Sequence, residues 1–183
     1  LLNMKFFAVI PARGGSKGIK NKNLKSIGGK SLLERAINSV IEHMDVVVST
    51  DSENIKSNAL KLGAKVPFTR PSILASDEAH TIDVLIHAIM EYEKFKDIKY
   101  DYVFLIEPTS PFRNHEHTKE VINKLKTNQF KTIVSVCDLE RKPENIFIKG
   151  EYLTKYIQKP NEKFEQRQMM KSLCRLNSAI YAT

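Results

Sequence analysis

An apolar run, Phe6 to Ile10, enters a turn of small and cationic residues, Pro11-Ala-Arg-Gly-Gly-Ser-Lys-Gly18, and this junction constrains the fold more than any other stretch. The apolar run reads as a buried strand. Gly14, Gly15 and Gly18 carry no side chains, so the turn after it leaves backbone amides exposed. Arg13, Lys17, Lys20 and Lys22 bring cations to the same strand end. Free amides beside several cations suit a polyanion, with a nucleoside triphosphate as the obvious candidate.

Two familiar phosphate loops do not fit. The Walker pattern ends in Gly-Lys-Ser/Thr, whereas here Lys17 precedes Gly18 and no Ser or Thr follows. The dinucleotide fingerprint needs Gly two residues before Gly15, and Arg13 stands there. A glycine-rich hairpin with solvated lysines is the alternative, which the crowding of cations disfavours.

With 183 residues, 42% of them hydrophobic, the chain suits one well-buried core spanning 1–183 with a small appendage. A net charge of +8 would suit nucleic acid, a membrane surface or an anionic substrate, and charge alone does not choose among them. Cys137 and Cys174 lack metal-ligand spacing and do not make a disulfide framework, so reduced thiols in a cytoplasmic protein are expected. No apolar run approaches membrane-spanning length. The stop at Thr183, directly after an apolar run, reads as a truncation.

Strand and helix patterns alternate. Lys30 to His43 has helical spacing, Asp45 to Asp51 reads as a strand, Ser52 to Leu62 as a helix stopped by Gly63, and Lys65 to Phe68 as a short third strand. A helix is predicted over Thr81 to Phe95, a strand over Tyr102 to Ile106, a helix over His117 to Thr127 and a strand over Thr132 to Cys137. The rhythm calls for a mainly parallel sheet with helices on both faces, a Rossmann-like three-layer α/β fold. Pro108 and Pro111 make a rigid turn at a strand's carboxyl end, where open α/β sheets bind ligands. Residues 139–173 are polar, with short apolar clusters that suggest small strands or a hairpin, and read as an arm lying on a partner. Leu176 to Ala182 returns as a strand.

Taken in order, Ile10 to Gly18 with Lys22-Asn-Leu24, Val48-Ser-Thr-Asp51, Arg70-Pro with Leu74-Ala-Ser-Asp77, Pro108 to Arg113 and Leu176 to Tyr181 resemble the motifs of acylneuraminate cytidylyltransferases. These enzymes, with relatives for legionaminic and pseudaminic acids, join CTP to a nine-carbon 2-keto sugar acid and release pyrophosphate for glycan biosynthesis. The likeness covers nearly the whole chain. It implies a nucleotidyltransferase fold, CTP and a nonulosonic acid as ligands, Mg2+ as cofactor and a homodimer built on the arm, with neither nucleic acid nor membrane as partner.

The resemblance also implies site residues. Lys22, Lys17 and Arg13 are the catalytic cations, and Arg13, Gly14, Gly15, Ser16, Lys17, Lys22, Asn23, Arg70, Ser76 and Asp77 contact nucleotide. A surface arginine in a proline turn is the other reading of Arg70, and Ser76 and Asp77 could instead cap the following helix. Asp51 is read as holding the loop. Glu107, Thr109, Ser110, Arg113, Arg167 and Asn177 match the sugar side. Glu107 stands where the family pattern has Gln, and a carboxylate accepts without donating, which keeps sugars other than sialic acid open. Facing a metal is the other reading of Glu107. The family's Asp-x-Asp metal motif is not present in this chain. His115 and His117, two apart, point away from each other on a helix and read as a surface helix start. Two other readings remain: activation of 3-deoxy-manno-octulosonate, and a nucleotide or RNA binding module without catalysis.

Overall fold

A computed structural model describes residues 4–127, 129–139, 146–155 and 173–183. It divides into two compact units. One runs through Ser135 and resumes at Ser178–Thr183, and the other is Val136–Asn177.

The first unit is built around β1 (Phe6–Pro11), whose side chains alternate between two cores because successive residues of a strand face opposite ways. Phe6, Ala8 and Ile10 face one layer, formed by α1 (Leu32–Asn38), α2 (Glu53–Lys61) and α4 (His115–Leu125). Phe7 and Val9 face the other, where Leu85, Ala88 and Tyr92 of α3 (Thr81–Lys96) cover them. The three layers are those expected of the pattern. Burial of each such apolar side chain stabilises the fold by about 1.5–3 kcal/mol.

In the sheet, β1 lies between β4 (Asp45–Ser49) and β5 (Tyr102–Leu105) and is parallel to both. The five-stranded order is β4-β1-β5-β9-β6, with β6 at Ile133–Asp138 and β9 at Cys174–Ala182. Strand order therefore reverses at β1, and the loops leaving β1 and β5 diverge there, which opens a crevice at the strands' carboxyl ends. Because β9 is antiparallel to β5, with Leu105 opposite Tyr181, Ser178 and Ala179 come alongside the turn that follows β5.

Local signals account for most element ends. Ser31 caps α1 through Glu34 N at 3.1 Å, and Ser52 caps α2 through Ile55 N at 3.5 Å. Asn114 and His117 form a reciprocal capping box that starts α4, in line with His115 and His117 marking a surface helix start. Gly63, at φ 84°, supplies the left-handed residue that ends α2.

Three expectations need correction. The strand over Lys65 to Phe68 reduces to a single bridge between Val47 and Lys65, since Pro67 has no N–H to extend a ladder. The helix expected over Lys30 to His43 is only α1, because residues 30–31 belong to a small hairpin, β2 (Ser26–Ile27) and β3 (Lys30–Ser31). Gly28 and Gly29, at φ 57° and 80°, make its turn. Neither Ser76 nor Asp77 caps α3. Its N-cap position is His80, which makes no side-chain cap.

The second unit contains the hairpin β7 (Phe147–Lys149) and β8 (Leu153–Lys155), paired antiparallel with Ile148 opposite Thr154. A hairpin is what its short apolar clusters suggested.

Candidate active site

The crevice predicted by strand order holds a cleft of about 260 Å³ in the first unit. Arg13, Ser16, Lys22 and Asn23 line it from the loop after β1, Arg70, Leu74, Ser76 and Asp77 from the segment before α3, and Glu107, Pro108 and Thr109 from the turn after β5. Residues as far apart in sequence as Arg13 and Thr109 thus share one cavity, as the ordered motifs require.

The loop after β1 is held by contacts that sequence gives only in part. Asp51, past the end of β4, accepts a hydrogen bond from Gly14 N at 2.9 Å, which is the loop-holding role expected of it. This contact braces the loop at Gly14 N. A side chain at Gly14 would meet Ser52 Cβ at 2.9 Å, which explains the glycine by close approach. Asn23 is buried, and its Nδ2 donates to Arg13 O at 3.1 Å. It fixes the backbone that carries Arg13. Lys22 sits half-buried in a short 3-10 helix, Lys22–Leu24, at the cleft wall, while Lys20 is exposed.

Arg13 and Lys17 converge on one carboxylate. Arg13 Nη2 pairs with Asp77 Oδ1, Lys17 Nζ pairs with Asp77 Oδ2, and Arg13 Nη1 donates to Ala75 O at 3.2 Å. The hydrogen bonds from Lys17 and Arg13 hold the Asp77 carboxyl below its ordinary range. Asp77 is therefore the counter-ion of two cations of the loop after β1.

Arg70 is not a surface residue. It is buried, with Nε donating to Ser49 Oγ at 3.1 Å and Nη2 to Ser49 O. Burial pulls its pKa down to about 10, opposed by the charge of Asp51, so the guanidinium stays cationic at neutral pH. It lends positive potential to the cleft it lines.

On the opposite side, Arg113 is buried and turned inward. Its Nε donates to Ser39 Oγ at 3.0 Å, and its terminal nitrogens donate to Glu107 O at 3.1 and 3.2 Å and to Ala179 O at 2.6 Å. Burial lowers its pKa to about 10, with Glu107 opposing. Ser110 Oγ donates to Ser178 O at 3.2 Å. Together they fasten the Pro108 to Arg113 turn to β9, where Ser178 adopts a left-handed φ of 56°. Glu107 is left at the cleft wall, its Oε2 accepting from Thr109 Oγ1 at 3.4 Å.

Among the remaining expected residues, Asn177 lies in the second unit, where Nδ2 donates to Val136 O at 3.1 Å. Arg167 lies outside the described residues. Leu74, Ala79, Thr81 and Val84 also line the cleft and were not foreseen. Their position just around the Arg70 and Asp77 motif was the available signal.

Magnesium is implied by the resemblance. Among the described residues no group of three or more His, Cys, Asp or Glu side chains could hold a metal ion. Of the cleft carboxylates, Asp77 is paired with two cations and Glu107 stands apart on the other wall. No helix among the described residues is long and apolar enough to cross a membrane.

An α/β sheet whose strand order reverses beside a cation-rich glycine loop puts that loop where open α/β sheets bind ligands. The chain belongs to the cytidylyltransferase family, whose model matches residues 7–173. It is 36% identical over 143 residues to CMP-N,N'-diacetyllegionaminic acid synthase of Legionella pneumophila, covering 76% of this chain and 61% of that protein. It is 38% identical over 152 residues to pseudaminic acid cytidylyltransferase of Campylobacter jejuni, covering 81% of this chain and 65% of that protein. The chain thus spans somewhat less than two thirds of these curated relatives. A structure of CMP:2-keto-3-deoxy-manno-octonic acid synthetase complexed with CTP superposes with a TM-score of 0.65 at 19% identity, covering 97% of this chain and 73% of that one. That likeness shows a shared fold.

Proposed function

We propose that the protein transfers a cytidylyl group from CTP to a nonulosonic acid, a nine-carbon 2-keto sugar acid, and releases pyrophosphate. The observation that carries the reading is the single cleft lined by phosphate-loop cations on one side and the Glu107 to Thr109 turn on the other. The names of the legionaminic and pseudaminic relatives support the choice of sugar class.

In the reaction the anomeric hydroxyl oxygen forms a bond to the α-phosphorus, the bond from that phosphorus to the pyrophosphate oxygen breaks, and the hydroxyl proton is lost. Positioning and charge neutralisation are what such a transfer needs from a protein. Arg13 and Lys17 take the phosphate tail, Ser16 donates to it, and Lys22 meets the charge that grows on the leaving group. Each charge-assisted hydrogen bond contributes about 1.5–3 kcal/mol. Asn23 and Asp51 hold the loop in register, and Arg70 adds a fixed buried charge.

On the acceptor side Glu107 and Thr109 present a carboxylate and a hydroxyl to the sugar, and Ser110 and Arg113 keep that turn in place. Magnesium would enter on the nucleotide, held chiefly by phosphate oxygens and water, and supply further charge neutralisation. A cytoplasmic homodimer that uses residues 139–173 as its arm belongs to the same proposal.

The test is pyrophosphate release by the full-length protein with CTP, magnesium and a panel of keto sugar acids. Legionaminic or pseudaminic acid should give release, and Lys22→Ala should abolish it with the fold intact by circular dichroism. No release with any sugar, alongside tight RNA binding, would overturn the reading, and a fully active Lys22→Ala would remove that residue from the mechanism.

A further inference from the structure

Asp77 makes an arrangement that the reaction does not account for. Its two carboxylate oxygens are divided between two cations, Oδ1 on Arg13 and Oδ2 on Lys17. These are the groups that should grip phosphate, and a carboxylate that bridges them occupies the same donors a phosphate oxygen pair would use. We infer that Asp77 is a specificity-determining residue, an internal anion that competes with phosphate for Arg13 and Lys17 and so favours polyphosphate chains over small anions. The inference rests on the nucleotide reading of the cleft.

The physical argument is one of exchange. A single phosphate that enters must displace the carboxylate, so it replaces one pair of ionic hydrogen bonds by another and gains little. A chain of phosphates has further donors within reach in Ser16 and Lys22, which line the same cleft as Arg13 and which Asp77 does not engage. A chain held by Ser16 and Lys22 can leave Asp77 part of its pairing, whereas a single phosphate must displace it outright, so the competition weighs most on the smallest anions. The exchange is also easily made. Lys17 is 83% exposed and Asp77 38%, so both ends can return to water when they part. Arg13, less exposed at 30%, keeps a second anchor on Ala75 O and stays aimed at the cleft. A product that leaves, or a stray orthophosphate, would thus be replaced by a group already tethered beside the site.

The opposite role is equally definite in its consequences. If Asp77 served to align the two cations for phosphate, removing its charge would weaken all anions. Isothermal titration of the full chain with orthophosphate, pyrophosphate, tripolyphosphate and CTP, for the wild type and Asp77→Asn, separates the two. Competition predicts that Asp77→Asn binds orthophosphate and pyrophosphate about tenfold more tightly and tripolyphosphate by a smaller factor, which flattens the preference for long chains. In a Lys17→Ala background the effect of Asp77→Asn should shrink, because half of the competed site is gone. Asp77→Ser, with the melting temperature of each variant, guards against a result that comes from misfolding. Unchanged or weaker anion binding by correctly folded Asp77→Asn and Asp77→Ser overturns the inference. A wild type that binds tripolyphosphate in this competitive way, yet gains no affinity from the cytidine of CTP, supports the competition and overturns only the nucleotide reading.

Discussion

Replacing Arg113 with Met should destabilise the protein strongly, and should do so whether or not a ligand is bound. The guanidinium is 7% exposed and donates to Ser39 Oγ, Glu107 O and Ala179 O, tying α1's end, the proline turn and β9 together. Methionine fills similar volume without a donor. Each buried acceptor that loses its partner costs about 1–3 kcal/mol. Part of this is offset because a buried charge is removed as well, and Glu107 O keeps a bond from Ser110 N. The net expected loss is about 3 kcal/mol, or a fall in melting temperature of about 6–12 °C for a chain of this size. Arg113→Lys should recover only part of it, because an ammonium cannot fork onto carbonyls set on different elements. Urea unfolding followed by circular dichroism gives the stability, and steady-state kinetics with sugar acid and CTP varied in turn gives the accompanying KM values. A variant as stable as the wild type, with KM raised for the sugar acid alone, would refute the bracing role and return Arg113 to the direct contact that its motif suggests.

Two further outcomes follow from the loop after β1. Gly14→Ala should lower CTP affinity at least about tenfold by titration calorimetry, since its Cβ would meet Ser52 Cβ at 2.9 Å and push Gly14 N off Asp51; wild-type affinity in that variant would show that the close approach is dispensable. Asp77 should shape the acid limb of stability. Lys17 and Arg13 hold its folded pKa below the ordinary 3.8, so its contribution is fully present above that value and lost as pH falls through the lowered one. The difference in melting temperature between wild type and Asp77→Asn should accordingly shrink in that acid range, and a constant difference would contradict the pairing.

Much of the fold was legible because periodicity is local. The continuous apolar run Phe6 to Ile10 read as a strand buried on both faces, the spacing of Val84, Leu85, Ala88 and Tyr92 read as an inward helix face, and both are buried as expected. Ser52 and Gly63 marked the ends of α2. The short hairpin at 26–31 was missed although Gly28-Gly29 signalled it, because the helical pattern that begins at Leu32 extends plausibly backwards. The strand expected at Lys65 failed for the converse reason, since alternation was present but Pro67 removes a ladder donor.

The site divides along the same line. Sequence by itself determined that a buried strand runs into a cation-bearing glycine loop, and that a second strand ends in a rigid proline turn, for these depend on neighbours in the chain. It could not determine which way an arginine points. Arg70 and Arg113 both follow or close turns that look solvated in one dimension, yet both are buried, because Ser49, Ser39, Glu107 and Ala179 offer acceptors from elements distant in sequence. Nor could it show that Asp77 bridges Arg13 and Lys17. That contact exists because strand order reverses at β1 and the segment before α3 comes across the loop that follows β1. Charge fixed along the chain supplied the donors, and only the tertiary fold decided which acceptor holds them.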